Sequence, residues 1–163
     1  MSHQRISINN TQLLQRVCVH TYYTGEARKS SGLPPQLTAQ LQASNSNRDI
    51  LTQHINLSIA EATKMLTRYL GICTAQRTSP EETTIDIETP VNYPAECVPQ
   101  IKEAIEDYCI MRTLGQWLTQ IKPDEANAAA NEAQMAMMRL RELMCIRKRP
   151  RCTNSSSDNS IEL

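Results

Sequence analysis

The chain has 163 residues, enough for one domain with arms, and carries 17 basic and 17 acidic side chains, so its formal net charge is zero. A neutral chain is not drawn to nucleic acid by its overall field, so any phosphate contact has to come from a local patch. There is no Phe, one Trp and five Tyr, and only four Gly, which argues against a turn-rich all-β fold and against glycine-lined nucleotide loops.

The N-terminus, Met1-Ser-His-Gln-Arg-Ile-Ser-Ile, has no long apolar core behind Arg5 and does not read as a secretory signal. No apolar run approaches the roughly 18–20 residues that a membrane helix needs, so a membrane partner is not expected. Synthesis in the cytosol is the expectation. The six cysteines (Cys18, Cys73, Cys97, Cys109, Cys145 and Cys152) form no CxxC and are spread through helical segments, so reduced thiols are expected rather than disulfides or a metal site.

Residues 1–46 read as a polar start, a helix and a linker. Leu13, Leu14, Val17 and Val19, followed by Tyr22 and Tyr23, place the helix at about 10–27; Lys29–Pro35 and Ala43–Asn47 are soft, polar stretches. Residues 47–149 are expected to form the main helical domain. Within it, residues 48–70 carry Ile50, Leu51, Ile55, Ile59, Ala62, Met65, Leu66, Tyr69 and Leu70 at helical spacing. Asp49 sits in the first turn, and Gly71 makes a natural stop. Ser58-Ile-Ala-Glu61 matches a capping box that could divide the segment, but the apolar face runs through it, and one helix is expected.

The pattern then changes. Thr83-Thr-Ile-Asp-Ile-Glu-Thr89 alternates and is β-branched, so it reads as a strand with Ile85 and Ile87 facing a core. A partner strand near 72–78 with a turn at Ser79–Glu82 makes a β-hairpin over about 72–90. A lone hairpin must lean on helices or on a neighbouring subunit, and Ile85 and Ile87 are also the expected contact residues there.

Residues 95–121 hold Val98, Ile101, Ile105, Tyr108, Met111, Leu114, Trp117, Leu118 and Ile121. Pro94 and Pro99 fit an irregular start or first turn. Lys122-Pro-Asp124 makes a corner. A last helix follows to about Arg147, with Ala126, Ala130, Ala133, Met137, Leu140 and Met144 stepping by 4, 3, 4, 3 and 4 residues. That is the seam of an antiparallel pair. Segment 94–148 is therefore expected to be a helical hairpin covered by helix 48–70. Its core candidates are Tyr108, Leu114, Trp117, Leu118, Leu140 and Met144. Residues 150–163, rich in Ser and Asn, are expected to be a flexible polar arm. The fold class is mainly α: a small helical bundle with an antiparallel helical hairpin, a short β-hairpin insertion and extended terminal arms.

Groups for catalysis do not converge. His3 lies in an unstructured-looking end, and His54 reads as a surface or partner-facing residue. His20 stands two residues from Cys18, which splays the pair on a helix, and no oxyanion loop accompanies them. The acidic pairs have plain accounts as a turn, a strand's solvent face and helix first turns. No catalytic, cofactor or metal residues are assigned, and a non-enzymatic protein is expected. The one charge cluster comprises Arg139, Arg141, Arg147, Lys148, Arg149 and Arg151, six cations in 13 residues. It reads either as a cation-rich helix end or as a docking arm for an acidic partner or for phosphates, with Arg147, Lys148, Arg149 and Arg151 as partner-binding candidates.

The order of elements resembles small tailed-phage head–tail connector (adaptor) proteins, the helical adaptors encoded beside the portal gene. The resemblance covers roughly 45–150. It rests on a helix ending Ala62…Leu66-Thr-Arg-Tyr-Leu-Gly71, a short β excursion, then Pro99…Ile101…Ala104-Ile105…Tyr108…Leu114…Trp117-Leu118 and an Ala-rich last helix. It implies a ring of about a dozen copies, stacked on the portal protein and followed by tail or stopper proteins, around a channel where DNA is touched non-specifically. It implies a virion protein made in the bacterial host cytoplasm. The first 45 residues depart from the shorter members. The alternative is a small helical regulator that binds DNA or protein through the basic C-terminal end. A third reading, an enzyme or metal protein using Cys18, His20 and the carboxylates, predicts a bound metal or a thiol with a depressed pKa.

Overall fold

The structure, a computed structural model, describes residues 2–29, 47–119 and 122–148. Among these residues it is mainly helical, with four helices and a three-stranded antiparallel sheet. In chain order the elements are β1 (Ser2–Asn9), α1 (Asn10–Lys29), α2 (Arg48–Leu70), β2 (Cys73–Ser79), β3 (Glu82–Thr89), a 3-10 turn (Ala95–Cys97), α3 (Val98–Leu118) and α4 (Pro123–Cys145).

The largest departure from expectation is at the N-terminus. The expected hairpin is not alone: residues 2–9 form β1, and the sheet order is β1-β3-β2. Ile6 and Ile8 alternate with polar neighbours, and both are buried. Ile6 lies opposite Ile85 and Arg5 opposite Asp86, where the guanidinium bonds the carboxylate at 2.7 Å. His3, read as part of a loose end, lies opposite Glu88, 3.8 Å away. A segment of two isoleucines is too short to stand out as a strand until it meets β3.

β1 passes into α1 with no connecting residue. The Asn9 side-chain oxygen accepts the backbone N–H of Gln12 at 2.9 Å, capping the helix. Asn10 is buried; its N–H donates to the Glu81 carbonyl at 2.7 Å and its amide to the Thr83 hydroxyl at 3.0 Å. These bonds pin the start of α1 to the β2–β3 turn. Leu13, Leu14 and Val17 enter the core, whereas Val19, Tyr22 and Tyr23 stay exposed.

α2 is a single helix, as the continuous apolar face predicts, and Ser58 turns its hydroxyl back to the His54 carbonyl instead of capping a new start. Leu51, Ile55, Ile59, Ala62, Leu66 and Leu70 are buried, while Ile50 and Tyr69 fall off the edge of the stripe and are exposed. Gly71 ends the helix at φ 106°, ψ −143°, a conformation open essentially to glycine alone.

β3 is the central strand, with Thr83, Ile85, Ile87 and Thr89 turned to the helices. α3 and α4 form the antiparallel hairpin. Pro99 occupies the first turn of α3 and Pro123 that of α4, where a missing N–H costs little. Between them the Lys122 N–H donates to the Leu118 carbonyl at 2.7 Å, and the Ala126 N–H donates to the Lys122 carbonyl at 3.0 Å. Gly115 faces the alanine stretch of α4, so the two backbones approach closely there. Of the core candidates, Tyr108, Leu114, Leu118, Leu140 and Met144 are buried; Trp117 is half-buried and packs against both core clusters. Ile121 lies outside the described residues.

Candidate partner-binding surfaces

The basic C-terminal end behaves first as part of the protomer. α4 stops at Cys145, two residues earlier than the expected limit near Arg147. Arg147 turns back, and its Nη1 donates to the carbonyls of Met144 at 2.6 Å and Ile146 at 2.8 Å, satisfying groups that a helix C-terminus leaves open. Its guanidinium carbon lies 5.8 Å from the centre of the Tyr93 ring. The Tyr93 hydroxyl donates to the Leu143 carbonyl at 3.1 Å, and burial pushes its pKa up to about 12. Lys148 donates its backbone N–H to the Asn92 carbonyl at 2.7 Å, and its ammonium lies 3.8 Å from Glu96. Arg139 pairs with Glu103 of α3 at 3.3 Å.

Arg147 and Lys148 thus bind the end of α4 to the segment between β3 and α3. That use needs a carbonyl acceptor, a ring and an acid from elsewhere in the chain, none of which the charge run itself reveals. Arg149 and Arg151, the other two partner-binding candidates, lie outside the described residues, as does the arm 150–163.

The expected hairpin contact is corrected in its residues. Ile85 is 0% and Ile87 2% exposed, so both belong to the protomer core and offer nothing to a neighbour. The exposed part of the hairpin is β2. From Thr74 to Thr78 its residues are exposed on both faces, whereas Cys73, at the end next to α2, is partly buried against the core. The Ile72 carbonyl accepts the Glu88 N–H at 3.1 Å. Antiparallel alternation then turns the backbone N–H and C=O of Cys73, Ala75 and Arg77 to the open side. Ile72 and Val91, which flank the hairpin, are among the most exposed aliphatic residues described.

A groove of about 710 Å³ lies where α2, α3 and α4 meet. Met65, Tyr108 and Met137 line it, with Lys64 and Arg68 on its α2 wall. The Tyr108 hydroxyl donates to Glu61 at 2.6 Å, and Arg112 Nε lies 3.3 Å from the same oxygen. Burial, then the bond to Glu61, raises the Tyr108 pKa. The sequence pattern marks Lys64 and Arg68 only as the solvent face of α2; the groove needs α4 beside them.

Cys18 and His20 sit on α1, splayed by their spacing as expected. Burial raises the Cys18 thiol pKa, against a smaller opposing pull from Arg48, so the thiolate a nucleophile requires is disfavoured. Cys73 is raised likewise, and Cys109, fully buried, more strongly. The five described cysteines are free thiols. Among the described residues no three His, Cys, Asp or Glu side chains come together to hold a metal, and no helix is long and apolar enough to cross a membrane. No protein-family model, curated protein or solved structure matches this chain.

Proposed function

We propose that this chain is a non-enzymatic structural subunit of a tailed-phage head–tail connector ring, standing between portal and tail or stopper proteins around the DNA exit channel of the virion. The observation that supports it most is the pair of outer strands, β1 and β2, neither paired beyond β3 among the described residues. Both run antiparallel to β3, so they run parallel to each other. Rotating a second copy about a ring axis keeps strand direction, and so can bring its β2 beside the first copy's β1. Such a head-to-tail contact uses two different surfaces and closes as a ring when the rotation divides a full turn. An exposed edge strand with a single charged residue, Arg77, has little to prevent such pairing. The regulator reading loses ground, because Arg147 and Lys148 are engaged within the protomer.

The test is native mass, by light scattering or native mass spectrometry over a range of concentrations, with and without a portal protein. A closed ring, alone or on the portal, is the expected result. Ala75→Pro should keep the protomer folded, since the N–H it removes faces the open side, and should abolish the ring. A monomer or dimer that ignores the portal and shifts only with DNA would overturn the proposal in favour of the regulator.

A further inference from the structure

We infer that the outer face of α4 is a second helical seam, through which two copies of this chain pair antiparallel, with Met135 of each copy against Met138 of the other. The inference does not depend on the connector reading, because the strand edges β1 and β2 take no part in it.

α4 buries Ala126, Ala133, Leu140 and Met144 within the protomer. Its opposite face carries Ala128, Asn131, Met135, Met138, Glu142 and Cys145, which step by 3, 4, 3, 4 and 3 residues. All six are exposed, Met135 at 66% and Met138 at 52%. A 3–4 spacing sustained over the length of a helix keeps one stripe in contact with a second helix. Ala128, Met135, Met138 and Cys145 make most of that stripe apolar. The two methionines stand at its centre, where flexible thioether side chains mould to a partner surface.

The stripe complements itself, which identifies the partner as a second copy. In an antiparallel pair centred between Met135 and Met138, these two meet reciprocally, the small Ala128 meets Cys145, and the Asn131 amide meets the Glu142 carboxylate. The flanking charges agree. Glu132 and Arg139 lie on the same edge of the stripe, and antiparallel pairing sets Glu132 of each copy beside Arg139 of the other. Glu132 is exposed, with no cation within ion-pair distance among the described residues. Arg139 has only the exposed pair with Glu103, at 3.3 Å, among those residues. The other alignments oppose like charges. A parallel pair puts Glu142 against Glu142, and an antiparallel pair slid by one heptad puts Glu132 against Glu132 or Arg139 against Arg139. Reciprocal contact of one patch with itself is the mark of a two-fold interface. A single helix face buries less than the roughly 800 Å² per partner of a standard interface, so the pair forms at high protein concentration.

The experiment is disulfide trapping in the full chain. In Ala128→Cys/Cys152→Ser, air oxidation of a concentrated sample should give a covalent dimer on a non-reducing gel, joining the introduced thiol to Cys145 of the other copy. Within one copy the two positions are 17 residues apart on a single helix, about 25 Å, so they cannot link to each other. Adding Cys145→Ser should abolish the dimer. Met135→Glu/Met138→Glu in the trapping background should lower its yield by on the order of tenfold, with an unchanged unfolding midpoint because both side chains are exposed. Glu132→Arg should lower the yield as well, and Glu132→Arg/Arg139→Glu should restore it. Ala75→Pro, which acts on the strand edge, should leave the yield unchanged, so this pair and the ring are read separately. The inference is overturned by the absence of a dimer, by a dimer that survives Cys145→Ser, or by one indifferent to the methionine changes. A dimer formed equally well by Cys145 with Ala128 in place would mean parallel pairing and would overturn it too.

Discussion

Tyr108 of α3 and Glu61 of α2 share a hydrogen bond of 2.6 Å across the boundary of two helices that are far apart in sequence. Tyr108 is the largest buried side chain of α3, and its hydroxyl emerges where α4 leaves the groove uncovered. The ring contributes apolar contact and the hydroxyl finds a charged acceptor at the rim. Tyr108→Phe keeps the ring and loses the bond. Because Glu61 remains half exposed and can turn to water, the expected cost is modest, about 1 kcal/mol. A urea unfolding curve with an unchanged slope and a lower midpoint checks it. Tyr108→Ala, which also empties the core position, should cost about 3–5 kcal/mol.

Alkaline pH should unfold the protein earlier than the surface charges alone would. Tyr93 has its pKa raised from 10.0 to about 12 because the fold buries the neutral hydroxyl against the Leu143 carbonyl. The unfolded chain loses that proton first. The stability that Tyr93 contributes is therefore fully present below about pH 10 and disappears as pH rises toward about 12. Tyr108 and Cys109 are raised as well and act in the same direction. Tyr93→Phe should lower stability by about 1 kcal/mol at neutral pH and flatten the fall between pH 10 and 12. Thermal midpoints read at several pH values, with tyrosinate absorbance followed alongside, test both statements.

Gly115 is placed where α3 and α4 come together, but the space is not closed to a methyl group. A Cβ there would lie 3.5 Å from the Ala126 carbonyl oxygen, 3.6 Å from the Ala130 nitrogen and 3.8 Å from the Ala129 Cβ. Those are ordinary contacts, and a glycine within a helix costs about 0.5–1 kcal/mol relative to alanine. Gly115→Ala should be neutral or stabilising by up to that amount. Gly115→Leu sets a branched side chain against the Ala126 carbonyl oxygen and the Ala129 Cβ and should destabilise by about 1–3 kcal/mol through overpacking. Thermal midpoints of the two variants in opposite directions are the expected pattern.

Charge reversal at the C-terminal end should separate two roles that the cluster Arg147–Arg151 runs together. Arg147→Glu removes the bonds to the Met144 and Ile146 carbonyls and the contact with Tyr93, and should lower stability by about 1–2 kcal/mol. Arg149→Glu/Arg151→Glu should leave the unfolding midpoint where it is and weaken docking to a partner. A triple variant with Arg147 included therefore confounds folding with docking. Normal docking of the double variant would remove these two arginines from the interface.

The helices were legible because each stripe repeats often enough to survive noise. α2 presents eight buried positions at helical spacing, and Ala126, Ala133, Leu140 and Met144 on α4 are buried along one seam. β3 was legible because Thr83–Thr89 alternates strictly between β-branched and polar residues, and its isoleucines do face a core. β1 was not, because Ile6 and Ile8 alone make too short a pattern; only the vacant edge of β3 turns residues 2–9 into a strand.

The surfaces divide the same way. From the sequence come the clustered cations at 139–151 and the existence of a hairpin, since both are runs of neighbouring residues. The sequence does not say that Arg147 is consumed by two carbonyls and a ring, that Ile85 and Ile87 are sealed in the core while Thr74–Thr78 of β2 are left exposed, or that Lys64 and Arg68 flank Tyr108 across a groove. Periodicity reports which face of an element is apolar, a local property. What lies opposite that face depends on contacts between residues such as Glu61 and Tyr108, or Tyr93 and Leu143, 47 and 50 positions apart, and only the tertiary structure brings those together.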